Sequence, residues 1–362
     1  MKIVQLLPEL NEGGVERGTV ELSRELVKNS HESVVISSGG KLVVEIEKDG
    51  AIHIEVNVSS KNPFTAMSRI FKLRGVLKEL QPDIIHARSR VPAWLAYFAK
   101  IGLNIPFVTT VHGFNSVNFY SSIMTKGDAV ICVSSSIKEY IQKNYSTAEE
   151  KITLIARGVD LHNFNPENID SDFIKEFQEK YNLHGKTIVS TVGRITQLKD
   201  YESFINAISL LKEERPNIVG LIVGSVHKDK RDYFHKLENL VQSLGLKNYI
   251  VFTGSQTKIA EIYSLSHVIV SSSKKPESFG RSVAEAIAMN RAVVASGHGG
   301  VLDIIKNEEN GYFFEVGNPY ELKEKILLAL KLKFDGYHYI AKKFSLEQMV
   351  TATIGVYKKL LS

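Results

Sequence analysis

PESFGRSVAEAIAMNRAVVASGHGG, residues 276–300, carries two carboxylates, Glu277 and Glu285, with seven residues between them. Glu277 follows the apolar run VIVSSS, which reads as a strand. Glu285 falls in a segment whose apolar residues Val283, Ala286, Ile287 and Met289 recur at helical spacing. A strand, a loop and a helix in that order let both carboxylates face one cavity. Between them the backbone N–H groups of Phe279, Gly280 and Arg281 fall at or just before the helix N-terminus. Donors without intrahelical partners and the positive end of the helix dipole favour an anion there. A phosphate beside two hydroxyl-binding carboxylates implies a nucleotide-sugar.

The same letters permit a structural reading. Ser282-Val-Ala-Glu285 has the form of a capping box, in which Ser282 caps the helix and Glu285 reaches back to the cap's N–H. On these two residues alone both readings stand. The wider wording, PESFG…EA…A-x-N-R-A-V-V-A-S…GG, resembles the E-x7-E signature of retaining glycosyltransferases of family 4. That resemblance implies the GT-B fold: α/β, two Rossmann-like doubly wound parallel-sheet domains with a cleft between them.

Composition sets the frame for this reading. A chain of 362 residues is too long for one ordinary core and suits two domains. With 43% hydrophobic and 23% charged residues it has the balance of a globular protein that folds without staples. The single cysteine, Cys132, lies in the apolar run AVICV; one cysteine excludes an internal disulfide and a cysteine-based zinc site. No apolar run approaches the roughly 20 residues that span a bilayer. MKIVQLLPELNEGG reads as strand and loop rather than a cleavable signal, so a cytoplasmic protein is expected. The net charge of +5 divides as 19 Lys/Arg against 17 Asp/Glu over residues 1–166 and 26 against 23 over 167–362. Neither half has the charge to bind nucleic acid.

Lys2 to Leu7 forms a strand, and the loop ELNEGG leads into a helix with Val15, Thr19, Leu22 and Leu26 on one stripe. Paired glycines at Gly13 and Gly14 let backbone approach a ligand, and equally suit a flexible strand-to-helix turn. The dinucleotide fingerprint G-x-G-x-x-G is absent, which counts against NAD. Strands SVVIS, IHIEV, DIIHA, PFVTTV, DAVICV and KITLI then alternate with helices over Phe64–Leu80, Ala93–Ile101 and Ser135–Lys143. This alternation predicts a parallel, doubly wound sheet whose ligands bind past the strands' carboxyl ends. His86, Arg88 and Arg90 follow one strand there, and His112 with Gly113 another. TVHG resembles the family's N-domain histidine, which implies that His112 sits against the donor sugar near the acceptor.

The segment KNPFTAMSRIFKLRGVLKEL sets Lys61, Arg69, Lys72, Arg74 and Lys78 against one acid, Glu79, with Phe64, Ile70 and Phe71 interleaved. Such a helix can lie on an anionic membrane surface or bury its apolar face in the core. RGVDLHNFNPEN, rich in Gly, Asn, Asp and Pro, reads as the interdomain linker. The domains expected are therefore residues 1–165 and 166–344, with residues 345–362 a helix that in relatives crosses back onto the first.

KTIVSTVGR opens the second half, with Arg194 and Lys199 at the strand's carboxyl end. Two cations there can hold a diphosphate and stabilise its growing charge as a leaving group. G-R-x4-K resembles the family's diphosphate clamp, although Asp200 stands where Gly is usual and is able to cap the next helix. Strands IVGLIVG, YIVFTG and HVIVSSS alternate with helices over Asp229–Leu244 and Lys258–Leu265. By resemblance the turn Ser255–Lys258 reads the base through backbone atoms. After Glu285, Asn290 and Ala292 replace the family's usual Gly and Pro; Asn still suits a left-handed helix end. Gly297, Gly299 and Gly300 make a compact loop able to approach a ligand. ENGYFFEVGNPYEL is similar to the family's closing hairpin and following helix.

The resemblance spans nearly the whole chain and implies a transfer mechanism. The donor, a UDP-, GDP- or ADP-sugar, is held mainly by the C-terminal domain and the acceptor by the N-terminal one, with closure excluding water. Glu277 orients the sugar hydroxyls, Glu285 binds the ribose diol, and Arg194 and Lys199 neutralise the diphosphate. Gly13, Gly14 and the Ser278, Phe279, Gly280 and Arg281 backbone border the donor, and His112 supports the sugar or the incoming hydroxyl. The catalytic set is then His112, Arg194, Lys199 and Glu277. No D-x-D motif ends a strand, so no metal is expected. A glycosidase would need both carboxylates at the scissile bond. HARSRVPAW, TTVHGFNSVNFYS and ESFGR look like bacterial lipopolysaccharide-core mannosyl- and glucosyltransferases, implying a lipid-linked or polysaccharide acceptor. Contact with the inner face of the cytoplasmic membrane follows from that. A capsule or exopolysaccharide transferase, a nucleotide-sugar-binding module without turnover, and a GT-B epimerase are the rival readings.

Overall fold

Ile218–Val223 is buried at every position, so it has no polar face to turn to water. Only a sheet covered by helices on both sides accommodates such a strand. The computed structural model, which describes residues 1–11 and 13–362, contains two sheets of this kind. The chain divides into Met1–Gly158 with Leu346–Ser362, and Val159–Ser345.

In the first unit β1 (Lys2–Leu6), β2 (Glu32–Ser37), β3 (Ile52–Glu55), β4 (Ile84–Ala87), β5 (Phe107–Val111), β6 (Ala129–Cys132) and β7 (Ile152–Leu154) lie in the order β3-β2-β1-β4-β5-β6-β7. In the second, β8 (Thr187–Val192), β9 (Ile218–Val223), β10 (Ile250–Gly254), β11 (Val268–Ser271), β12 (Ala292–Ser296) and β13 (Gly311–Phe314) lie in the order β10-β9-β8-β11-β12-β13. Every ladder is parallel. Strand order reverses between β1 and β4 and again between β8 and β11, and a crevice opens at the carboxyl ends of such a switch point. Both units are thus Rossmann-like. ENGYFFEV was expected to close as a hairpin; instead it supplies β13, a parallel edge strand beside β12.

The core of the second unit gathers Tyr201, Phe204, Ile208 and Leu211 from one helix face against Ile222, Val268 and Val294. Each fully buried side chain of this size contributes about 1.5–3 kcal/mol. In the first unit the helix Leu346–Leu361 brings Leu346, Val350, Ile354 and Tyr357 onto Ile3, Leu22, Leu26, Ile84 and Val108.

Local chemistry moves several boundaries. The helix expected from Ala93 spans Arg90–Ala99, because Ser89 is extended at φ −158° and Pro92 is tolerated in a first turn. The helix expected from Phe64 opens as a 3-10 turn, Pro63–Thr65, capped by the Asn62 side chain, and continues as Ala66–Leu80. Two of its basic residues are structural. Arg69 is buried and donates to the carbonyls of Ser60 and Asn62 at 2.8 Å each, and Arg74 to those of Ala99 and Ile101. Among the described residues no helix is long and apolar enough to cross a membrane.

His86, buried on β4, ties the Leu346–Leu361 helix to the sheet. Its Nδ1 lies 2.6 Å from the Tyr357 hydroxyl and its Nε2 2.6 Å from the Thr110 hydroxyl. Burial, reinforced by the Arg88 charge, holds its pKa well below the usual histidine value. The folded ring therefore stays neutral where an unfolded one, with a pKa of about 6.5, takes a proton. Stability is then intact above about pH 6.5 and falls as the pH drops below it, by up to about 1.4 kcal/mol per pH unit for this ring. Urea melts at pH 7.5 and 5.5 are expected to show that loss, with a shallower dependence in His86→Gln.

Candidate active site

The second unit builds its site where β8 and β11 part. After β8 the chain passes Gly193 and Arg194 and turns through a 3-10 segment, Gln197–Lys199. Tyr201, wholly buried, donates its hydroxyl to the Gly193 carbonyl at 2.7 Å, which fixes the loop from beneath. From the other side the Ser272 hydroxyl donates to the carbonyls of Lys199 and Asp200, at 2.9 and 3.1 Å. The Lys274 N–H donates to the Leu198 carbonyl at 2.8 Å. Asp200 adopts a left-handed φ of 48°, the reason glycine suits this place. Its carboxylate accepts from the Ser203 hydroxyl at 2.7 Å and pairs with the Lys274 ammonium at 3.1 Å.

This stitching brings Lys199 to Glu277. The Lys199 ammonium and the Ser273 hydroxyl both reach Glu277 Oε1 at 2.5 Å. Burial alone would raise the Glu277 carboxyl, but the Lys199 charge and hydrogen bonds from Lys199 and Ser273 outweigh it, with His298 adding to them. The carboxyl is held below the usual glutamate range and stays ionised near neutral pH. Oε2 has no partner among the described residues, so one carboxylate oxygen remains to accept from a hydroxyl. Arg194 stands exposed at the end of β8.

Glu285 does not close a capping box. The helix is Arg281–Ala288, its N-cap is Gly280 at φ 99°, and Ser282 lies inside the first turn. Glu285 is only 8% exposed. Its Oε1 accepts from Arg281 Nε at 2.7 Å and its Oε2 from the Tyr263 hydroxyl at 3.1 Å. Burial first, and the Glu285 charge second, push the Tyr263 phenol well above its usual value, so it remains a donor. Phe279 is buried beneath the loop, which leaves backbone from Ser278 to Arg281 to border a ligand.

The glycines after β12 do a different task from the one their spacing suggested. Gly300 N–H donates to the Glu277 carbonyl at 2.7 Å, and Gly299 bridges to Glu277 in parallel fashion. A Cβ on Gly299 would stand 2.5 Å from the Glu277 oxygen, and one on Gly300 2.5 Å from Phe279 Cα. Both glycines therefore seat the Glu277–Phe279 backbone. Between them and Ser273, His298 Nε2 lies 2.9 Å from the Ser273 carbonyl. Ser272, Ser273, Tyr263 and His298 are site residues that no motif marks.

The first unit builds its own pocket where β1 and β4 part. Leu7, Pro8, Val15, Arg88, Arg90, Thr110, His112 and Asn115 are among the residues lining a cavity of about 290 Å³. Arg88 is 5% exposed and donates to Gln5 Oε1 at 3.2 Å. Burial lowers its pKa to about 10, so it remains a cation. Burial, with Arg88, Arg157 and His86 nearby, depresses the His112 pKa well below the usual value; the ring is neutral, and among the described residues neither of its nitrogens has a partner. Of the loop Glu9–Gly14, Glu12 lies outside the described residues. Gly13 is the N-cap of the helix Gly14–Lys28. Gly14 and Gly18, one turn apart, leave a bare strip for Arg157: a Cβ on Gly14 would stand 3.0 Å from its Nη1, and its Nη2 donates to the Gly14 carbonyl.

Two Rossmann-like units, each with a switch point at the carboxyl edge of its sheet, make up the GT-B fold. Residues 12–163 match the family description Glycosyltransferase Family 4, and residues 173–344 match Glycosyl transferases group 1. A glycosyltransferase from Rickettsia africae superposes with a TM-score of 0.92 at 34% identity, over 100% of this chain and 98% of its own. The chain belongs to this glycosyltransferase family. Anabaena HepE in complex with UDP and glucose has the same fold, with a TM-score of 0.86 at 18% identity over 99% of this chain and 100% of its own. In Campylobacter jejuni, N,N'-diacetylbacillosaminyl-diphospho-undecaprenol alpha-1,3-N-acetylgalactosaminyltransferase is 29% identical over 295 residues, 76% of this chain and 75% of its own.

Gly299 and Gly317 share a φ of +77°, but nothing lies within 4 Å of a Cβ on Gly317. Gly317→Ala is therefore expected to cost only left-handed strain, about 1–2 kcal/mol. Gly299→Ala adds the clash with Glu277 and is expected to cost at least about twice as much in urea unfolding.

Proposed function

We propose that this glycosyltransferase is a retaining, metal-independent hexosyltransferase. It moves a mannose- or glucose-type hexose from a UDP-, GDP- or ADP-sugar to the lipopolysaccharide core or another lipid-linked glycan. The observation that carries the reading is the Lys199–Glu277 pair at the β8/β11 switch point, where a cation and a half-engaged carboxylate stand side by side. Lys199 and Arg194 neutralise the diphosphate while Glu277 Oε2 accepts from a sugar hydroxyl, an arrangement already charged before substrate arrives. Glu285, steadied by Arg281 and Tyr263, receives the ribose, and the backbone of Gly13, Gly14 and Ser278–Arg281 borders the donor. On the first unit His112, neutral, supports the sugar or incoming hydroxyl without bringing charge, and Arg88 and Arg90 face the acceptor.

In the transfer the bond from the sugar's anomeric carbon to the leaving diphosphate breaks. The acceptor oxygen bonds to that carbon on the same face, and its proton passes to the departing phosphate oxygen. Arg194 and Lys199 supply the electrostatics that a metal supplies elsewhere. The lipid-linked acceptor is supported by the wording of the sequence, and by a relative that acts on a diphospho-undecaprenol acceptor. Such a substrate draws the enzyme to the inner face of the cytoplasmic membrane, as a peripheral contact with anionic lipid.

Calorimetric titration of UDP, GDP and ADP is expected to show one nucleotide binding, at least tenfold more weakly in Glu285→Ala. Binding of none of the three sinks the reading. With the matching nucleotide-sugar and acceptor, Lys199→Ala is expected to lower kcat by about 10²–10³, and EDTA to leave the wild-type rate unchanged.

A further inference from the structure

Beside the β1/β4 pocket the first unit carries a second, apolar hollow of about 530 Å³, walled by Pro63, Ala66, Trp94, Leu95, Phe98 and Phe119. Its aromatic rings are held in place although much of their surface faces outward. Trp94 Nε1 donates to the Tyr120 carbonyl at 2.9 Å, Phe98 stacks on the Trp94 ring at 5.7 Å, and Phe119 packs at 5.3 Å. Phe119 is 80% exposed, and Phe64 and Met67 beside the groove are exposed at 96% and 60%. Monomeric soluble proteins rarely leave so much apolar surface contiguous and uncovered without using it.

Charge identifies the occupant. Residues 56–78 carry five Lys/Arg and no acid, and residues 84–127 four Lys/Arg and no acid, so the segments forming the groove hold not one carboxylate. Lys100 reaches Asp128 at 3.7 Å. Arg69 and Arg74 spend guanidinium hydrogens on neutral carbonyls, and among the described residues neither has a carboxylate partner. The groove adjoins the pocket of His112 through one contact between their walls. Arg90, which lines that pocket, lies over the Tyr120 ring of the groove at 5.3 Å and donates to the Ser121 hydroxyl at 3.1 Å.

We propose that this groove seats the hydrocarbon chain of a single phosphorylated lipid, the anchor of the acceptor, with its phosphate at Arg90 and its glycan directed to His112. The assignment rests on the lipid-linked acceptor reading above. A second copy of the chain is disfavoured because it would press two acid-free basic faces together.

Trp94 is the only tryptophan in the protein, so its emission reports the groove alone. Farnesyl diphosphate, kept below the concentration at which it forms micelles, is expected to change that emission saturably, whereas inorganic diphosphate is not. Phe119→Ser and Phe98→Ser alter exposed side chains, and are expected to weaken farnesyl diphosphate at least tenfold. Arg90→Ala is expected to weaken it while sparing the response to farnesol. The proposal is overturned by no saturable response, by an equal response in the serine variants, or by a response only to vesicles of phosphatidylglycerol, which would make the surface a bilayer contact. Concentration-dependent dimers abolished by Phe119→Ser would overturn it in favour of self-association. Nucleotide titration of the same samples separates the two claims: a variant that binds nucleotide but not farnesyl diphosphate is folded, and nucleotide binding without any lipid response refutes the groove and leaves the donor site standing.

Discussion

Parallel pairing sends the carboxyl end of every strand to the same edge of its sheet, and the placement of each functional group follows from that constraint. Where neighbouring strands lead to helices on opposite faces, the two loops separate and leave a crevice. β1 and β4 part in this way in the first unit, β8 and β11 in the second. His112, Arg88 and Arg90 belong to the first edge, and Arg194, Lys199 and Glu277 to the second. Residues 78 apart in sequence, Lys199 and Glu277, become ion-pair partners because their strands are neighbours.

A crevice alone does not fix side chains to fractions of an ångström, and here hydroxyls and glycines do so. Ser272 spans two carbonyls of the Lys199 turn, Tyr201 holds its beginning, and Ser273 shares an oxygen of Glu277 with Lys199. Gly299 and Gly300 let a second loop press against the Glu277 backbone at hydrogen-bond distance. The result is a carboxylate oriented by groups that are themselves packed, a condition for electrostatics that need no rearrangement during reaction.

The alternation of apolar runs and helical stripes made both parallel sheets legible, since strands buried on two faces have few polar letters. Glu277 was legible because it stands in a dense local wording. Its supports were not: Ser273 is an ordinary serine at a strand end, and Tyr263 meets Glu285 from another helix. Arg157 explains Gly14 and Gly18 from more than 130 residues away, so the glycine pair read as a ligand approach when part of its role is to admit a guanidinium. Likewise Ser282 and Glu285 spell a capping box, but the helix starts one residue before Ser282. Periodicity fixes a face; it leaves a helix's first residue to the backbone angles of its neighbours.

The first unit is discontinuous. Its core takes Leu346, Val350, Ile354 and Tyr357 from the last helix, whereas the second unit is one uninterrupted stretch, Val159–Ser345. During synthesis the order of appearance is therefore not the order of completion. The leading segment emerges with Ile3, Leu22 and Ile84 uncovered, and the middle of the chain has all its own contacts before the beginning does. Emergence of the Leu346–Leu361 helix, rather than of the first sheet, sets the moment at which the N-terminal fold can close, and until then the nascent chain displays an apolar seam to chaperones.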